Sequence, residues 1–235
     1  MEAEVMIAQK IQRSLLPASP FTAGWCGISG TSVAAAEDGG DYFDIIKIND
    51  DEVLVVVADA SGHGTGAGIL SAMTKSGIMQ ELQHSNSPGE ILTRLNATIA
   101  RVSEKNMFVT CALALVSRSD AIVSTAGHPP LFHYSGGRIV EIRTPNVALG
   151  LKGDARFSEI YVPLSSGDLI FLYTDGVTEA RGKDGSELGM EQLKTYVVEN
   201  LHGAKSAIDK AVIEHVRAFS GELSDDATVV AIQIV

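Results

Sequence analysis

Cysteine is scarce in this sequence. Cys26 and Cys111 lie far apart, with no CxxC and no Cys/His pairing at zinc-ligand spacing, which excludes the common structural zinc sites. The two are expected to be buried small hydrophobes in a reducing compartment. Positive charge is also in short supply: 18 Lys+Arg face 29 Asp+Glu, a formal net charge of −11. A nucleic-acid-binding domain normally carries the opposite balance, so no nucleic-acid partner is expected. Long apolar runs are missing too. The longest, around Val53 to Ala58, falls far short of the roughly 18 to 20 residues that span a bilayer. The opening MEAEVMIAQK is acidic and polar where a secretory signal is basic and then apolar. A soluble, cytoplasmic protein with no membrane partner is therefore expected. There is no excess of Pro, Gln or Ser, no internal repeat and no G-x-x-x-x-G-K-[ST], so disorder, solenoids and P-loop nucleotide hydrolases are set aside.

What is present is 45% hydrophobic residues in a 235-residue chain, enough for a proper core. Residues 5 to 16 carry apolar positions at Val5, Ala8, Ile11 and Leu15, the stripe of a short helix that stops at Pro17. Such a helix is marginal alone, so its stripe packs either on the domain body or on a second copy of the chain. Gly24 to Ala36 is small and turn-rich and reads as extended. Two strands follow, at about 42–48 and 52–58, joined by Asn49-Asp50-Asp51 as a hairpin. Helices are predicted over 67–84 and 89–105, the second with Ser87 as N-cap and Pro88 at its first position. Strands are predicted at 107–116, 121–126, 131–134, 139–142, 157–163 and 168–173, then helices at 190–200 and 204–220 and a last strand at 227–234. Antiparallel strands interrupted by two helix pairs indicate one layered α+β domain.

Acidic residues cluster. Between positions 37 and 59 eight of them, including Asp41, Asp44 and Asp59, stand against Lys47 alone. Such charges repel if they converge without a cation, and otherwise form a solvated edge. Asp41 enters a strand after Gly39-Gly40, and Asp59 leaves one into a glycine-rich turn. Later, TDGV places Asp175 after the apolar LIFLYT, and SDDATVV places Asp225 and Asp226 before the last strand. Each motif alone is as readily a simple turn. Four strand-terminal aspartates together form a hard oxygen set that suits Mg²⁺ or Mn²⁺ and not zinc. Gly62 to Ala67 also fits a loose G-x-G-x-x-A dinucleotide fingerprint, but two helices follow it instead of a parallel strand ending in an acid.

The order of these blocks, IQRSLLP, GGDYFD, VADASGHGTGAG, FVTCALA, AGHPPLF, ALGL, LYTDGVTEA and SDDATVV, resembles the metal-dependent protein phosphatases of the PPM (type 2C-like) family, in its bacterial SpoIIE-like branch. The resemblance implies a four-layer αββα sandwich, two antiparallel sheets flanked by helices, over residues 17–235, with residues 1–16 a linker or regulatory helix. It implies a centre of two Mn²⁺ or Mg²⁺ ions held by Asp41, Asp59, Asp175 and Asp225, with Asp59 bridging and the Ala60 carbonyl joining the first ion. Asp226 takes a supporting position. His63 is the candidate general acid, whereas His128, in AGHPP, orders a turn. The arginine that some type 2C enzymes place before the first acidic motif has no counterpart, since no Lys or Arg lies between Arg13 and Lys47.

The implied activity is metal-dependent hydrolysis of phosphoserine or phosphothreonine in a protein, such as a phosphorylated anti-sigma-factor antagonist of a partner-switching pathway. The first helix resembles linkers to an upstream sensor or receiver domain and is also the candidate homodimer contact. The rival reading is a catalytically silent phosphatase-like interaction module.

Overall fold

The computed structural model describes residues 16–17, 19–35, 39–62, 64–103, 107–201 and 207–235. The predicted first helix and His63 therefore lie outside the described residues. Among the described residues eleven strands form two sheets. The six-stranded sheet runs in the order β1 (Phe21–Ala23), β2 (Cys26–Val33), β11 (Ala227–Ile234), β10 (Leu169–Tyr173), β7 (Leu131–Ser135), β8 (Arg138–Ile142). The five-stranded sheet runs β3 (Asp41–Lys47), β4 (Val53–Ala60), β5 (Val109–Val116), β6 (Asp120–Ala126), β9 (Ile160–Pro163). Every pairing between them is antiparallel. Among the described residues no parallel strand follows Gly62 to Ala67, and two helices come next instead, so the dinucleotide reading has no structural support there.

Helices α1 (Thr65–Glu81) and α2 (Pro88–Val102) cover the outside of the five-stranded sheet, burying Leu70, Ile78, Ile91 and Leu95 against Leu54, Val56 and Leu113. A one-turn helix α3 (Asp175–Thr178) follows β10. Helices α4 (Gly189–Asn200) and α5 (Ile208–Ser220) cover the six-stranded sheet, where Leu193, Val197, Val212 and Val216 meet Phe132, Phe171 and Val229. A third apolar cluster fills the space between the sheets, with Val53, Val55, Val57, Ala112 and Ala114 from one and Ile28, Ile170, Leu172, Val230 and Ile232 from the other. Three cores separate four layers, αββα.

Local chemistry accounts for the elements. Strand β4 is buried on both faces, so VLVVV reads as a continuous apolar run rather than an alternation. Ser87 accepts the Glu90 N–H at 3.2 Å and Pro88 opens α2, a side-chain cap followed by a residue already held at helical φ. Strand β2 falls inside Gly24 to Ala36, the segment read as extended. CGISGTSV is poor in strand-forming side chains, yet it pairs along its whole length with β11, because tertiary context supplies what propensity does not. Both cysteines are free and buried, as expected. Among the described residues no helix is long and apolar enough to cross a membrane.

Candidate active site

Side chains alternate across a strand, so the residues lining the inter-sheet core recur at every second position. Along β4 the core positions Val53, Val55 and Val57 are followed by Asp59. In β5, Ala114 and Ala112 lead back to Thr110, and in β3, Ile45 and Phe43 lead back to Asp41. From the other sheet, Ile170 and Leu172 lead to Thr174, and Ile232 and Val230 lead back to Thr228 and Asp226. One end of the greasy interior thus becomes a polar layer. Asp41 and Asp59 are directly opposite in the β3–β4 register.

Asp41 is buried, and its Oδ2 accepts hydrogen bonds from the Thr174 hydroxyl at 2.8 Å and the Thr228 hydroxyl at 2.6 Å. These bonds tie the two sheets together through the motif threonines of YTDG and DDAT. Asp226 performs a second tie. Its carboxylate accepts the backbone N–H of Ala35 at 2.9 Å, Gly40 at 2.6 Å and Asp41 at 3.3 Å, which fixes the approach to β3. The glycines of GGD follow from this packing: a Cβ on Gly39 would run into the Asp226 carboxylate, and one on Gly40 would sit 2.5 Å from the Ala60 carbonyl oxygen and 3.2 Å from Asp59 Oδ1. The Ala60 carbonyl and the Asp59 carboxylate therefore border the same small space. In TDG, a Cβ on Gly176 would collide with the Asp226 carbonyl.

Electrostatics mark the cluster as strained. Burial, and then the Asp59 charge, push Asp41 well above the usual carboxylate range against the opposing hydrogen bonds of Thr228 and Thr174. Burial raises Asp59 to about 7, with Asp175, Asp225 and Asp226 adding repulsion. Asp175, at the first turn of α3, is raised by burial and by Asp225. Asp225 is exposed and accepts the Asp226 N–H at 2.8 Å. Among the described residues no cation contributes to the shifts of Asp41, Asp59 or Asp175. Arg181 lowers Glu179, which burial and then Asp175 raise, and Arg181 is itself paired with Glu187 at 3.1 Å.

Hard oxygens that repel one another, with no cation among the described residues lowering Asp41, Asp59 or Asp175, are a donor set suited to a divalent cation. They are not assembled, however: among the described residues no three His, Cys, Asp or Glu side chains are grouped so as to hold a metal ion as they stand.

The remaining histidines divide. His128 is buried with Nδ1 2.9 Å from Thr110 Oγ1. His133 Nε2 lies 2.9 Å from Asp168 Oδ2, at the opposite end of β10 from Asp175. His215 stacks on Tyr196 with centroids 4.0 Å apart. The sequence reading missed Thr174 and Thr228. Their signal was the alternation itself, since each continues a core stripe by two positions.

The topology of two face-packed antiparallel sheets with an acidic end is that of the type 2C phosphatase fold. The chain superposes on the SiaA-PP2C domain of Pseudomonas aeruginosa with a TM-score of 0.86 at 20% identity, covering 99% of this chain and 96% of that one. It superposes on the catalytic domain of the serine/threonine protein phosphatase PstP, solved in complex with two manganese ions, with a TM-score of 0.68 at 15% identity, covering 90% and 99%. Residues 49–235 match the family described as Stage II sporulation protein E (SpoIIE), and the chain belongs to that family. Phosphoserine phosphatase RsbU of Bacillus subtilis (strain 168) is 25% identical over 99% of this chain and 70% of its own length.

Proposed function

We propose that the chain is a Mn²⁺- or Mg²⁺-dependent phosphoserine/phosphothreonine protein phosphatase. The observation that carries this reading is the convergence of Asp41, Asp59, Asp175 and Asp225 on one end of the sandwich, where Asp41, Asp59 and Asp175 are all raised in pKa. Kinship with RsbU and likeness to PstP support it. Asp59, Asp175, Asp225 and one oxygen of Asp41, with the Ala60 carbonyl, would hold the ions. Two bound ions supply an acidified water and neutralise phosphoryl oxygens. The protein's own part is to fix the ligands: Thr174 and Thr228 hold the Asp41 Oδ2, and Asp226 sets the backbone of the GGD turn. An acidic site without metal repels a phosphoryl dianion, so substrate binding depends on the ions. His63 is the proposed general acid for the leaving serine or threonine oxygen.

The proposed substrate is a small phosphorylated signalling protein such as an anti-sigma-factor antagonist. Residues 1–16 are the proposed coupling helix to an upstream domain or a second copy. Hydrolysis of a phosphoserine protein by the chelated chain, and then with Mn²⁺ or Mg²⁺ restored, tests the reading: turnover that depends on metal is expected, and equal turnover in chelator contradicts it. The rival reading is a silent phosphatase-like interaction module. A folded chain that binds no Mn²⁺ in calorimetry decides for that rival.

A further inference from the structure

His128 is 7% exposed, and Gly127 at φ 62, whose N–H is bonded to the Asn146 carbonyl at 3.1 Å, precedes it while Pro129 and Pro130 follow. The loop holds the ring stiffly. Its Nδ1 meets Thr110 Oγ1 at 2.9 Å, and the Tyr173 backbone is the ring's other polar neighbour. Burial, against the nearby Tyr173 backbone, lowers its pKa to about 3, so the ring is neutral at physiological pH, with one nitrogen a donor and the other an acceptor.

Thr110 stands directly opposite Asp59 in the β4–β5 register. Opposed side chains share a sheet face, with Cβ atoms about 4.5–5.5 Å apart. Tyr173 closes β10 two residues before Asp175. One buried ring thus lies between the strand end that presents Asp59 and the strand end that presents Asp175, with no hydrogen bond to either carboxylate among the described residues. A turn-ordering histidine needs no such placement.

We propose that His128 and Thr110 form a positioning pair for Asp59: the ring fixes the Thr110 hydroxyl, and the fixed hydroxyl sets the polar wall beside which the Asp59 carboxylate rests. The inference rests on the phosphatase reading above, in which Asp59 is the shared metal ligand. Thr110→Val keeps the shape of the side chain and removes the contact, leaving the buried Nδ1 without its Thr110 partner. The ring and the spacing of the two strand ends then relax together.

Calorimetric titration with Mn²⁺ of the wild-type chain, Thr110→Val, Thr110→Ser and His128→Asn tests this. Groups that orient metal ligands typically change affinity by about 10–100-fold. Thr110→Val is expected to weaken Mn²⁺ binding by at least about 10-fold, while Thr110→Ser, which keeps the hydroxyl, and His128→Asn, which offers an oxygen or amide near the Nδ1 position, stay within about threefold of wild type. A purely structural role lowers the melting temperature of Thr110→Val and leaves the affinity of the folded protein unchanged. That outcome contradicts the inference, as does Thr110→Ser binding as weakly as Thr110→Val. If His128→Asn does not fold, the valine and serine variants carry the test. No Mn²⁺ binding by the wild-type chain contradicts the phosphatase reading itself, and this inference with it.

Discussion

The Asp41 carboxylate of the five-stranded sheet accepts a 2.6 Å hydrogen bond from the Thr228 hydroxyl of the six-stranded sheet. Between the sheets lies an apolar cluster, and at this end their spacing is set by directed bonds as well as by packing. Thr228→Val preserves volume and removes a donor to a buried carboxylate. Leaving such a group short of a partner costs about 1–3 kcal/mol. Urea unfolding should show a loss of that size, and Thr228→Ser should recover most of it.

The GGD turn gives a steric prediction. Gly39→Ala places a methyl group into the Asp226 carboxylate and displaces the bonds that hold Gly40 and Asp41, whereas nothing lies within 4 Å of a Cβ on Gly27. Overpacking of a close-packed site typically costs about 1–3 kcal/mol. A lowered melting temperature together with weaker Mn²⁺ binding is expected for Gly39→Ala, and near wild-type behaviour for Gly27→Ala. Equal effects would show that the turn tolerates rearrangement.

Asp59 gives a pH dependence. Its carboxyl is raised to about 7 in the metal-free chain, above its ordinary value. The folded state therefore binds a proton that the unfolded state has already released, and this contribution to stability fades as pH rises from about 4 through about 7. The chelated wild-type chain should lose stability over that interval, and Asp59→Asn should lose less. Mn²⁺ competes with the same proton, so its affinity should fall as pH is lowered through about 7. Thermal melts and calorimetry across that range check both, and a flat profile for each contradicts the assignment of Asp59 to a crowded acidic site.

Most of the fold could be read from the residues, because β4, α2 and the hairpin between β3 and β4 combine pattern with punctuation: an apolar run, a Ser-Pro cap and an Asn-Asp-Asp connection. Strand β2 could be read only as extended, because Gly27, Ser29, Gly30 and Ser32 carry no strand signal of their own. It exists by pairing with β11, and its Ser29 and Thr31 hydroxyls are bound at 2.7 and 2.6 Å by Asp209 of α5. Helix α3 is one turn long, too short for periodicity to reveal. In the site, the aspartates stood out as repeated acid-at-strand-end motifs. Thr174 and Thr228 did not, since a threonine in a strand is ordinary until the partner across the sandwich is known. Asp226 was placed beside Asp225 as a supporting residue, but only the structure shows what it supports, the three backbone N–H groups before and at the start of β3.

Metal-dependent phosphoester hydrolysis at the acidic end of the sandwich is tested most directly by turnover of para-nitrophenyl phosphate with saturating Mn²⁺, with the wild-type chain, Asp59→Ala and Asp51→Ala side by side. Asp51 lies in the exposed hairpin, paired with Arg118 at 2.9 Å, far along β4 from Asp59. The expected result is turnover by the wild type, near wild-type turnover by Asp51→Ala, and loss of nearly all turnover by Asp59→Ala with the fold intact. Equal turnover by the two variants would contradict the assignment of Asp59 to the reacting centre.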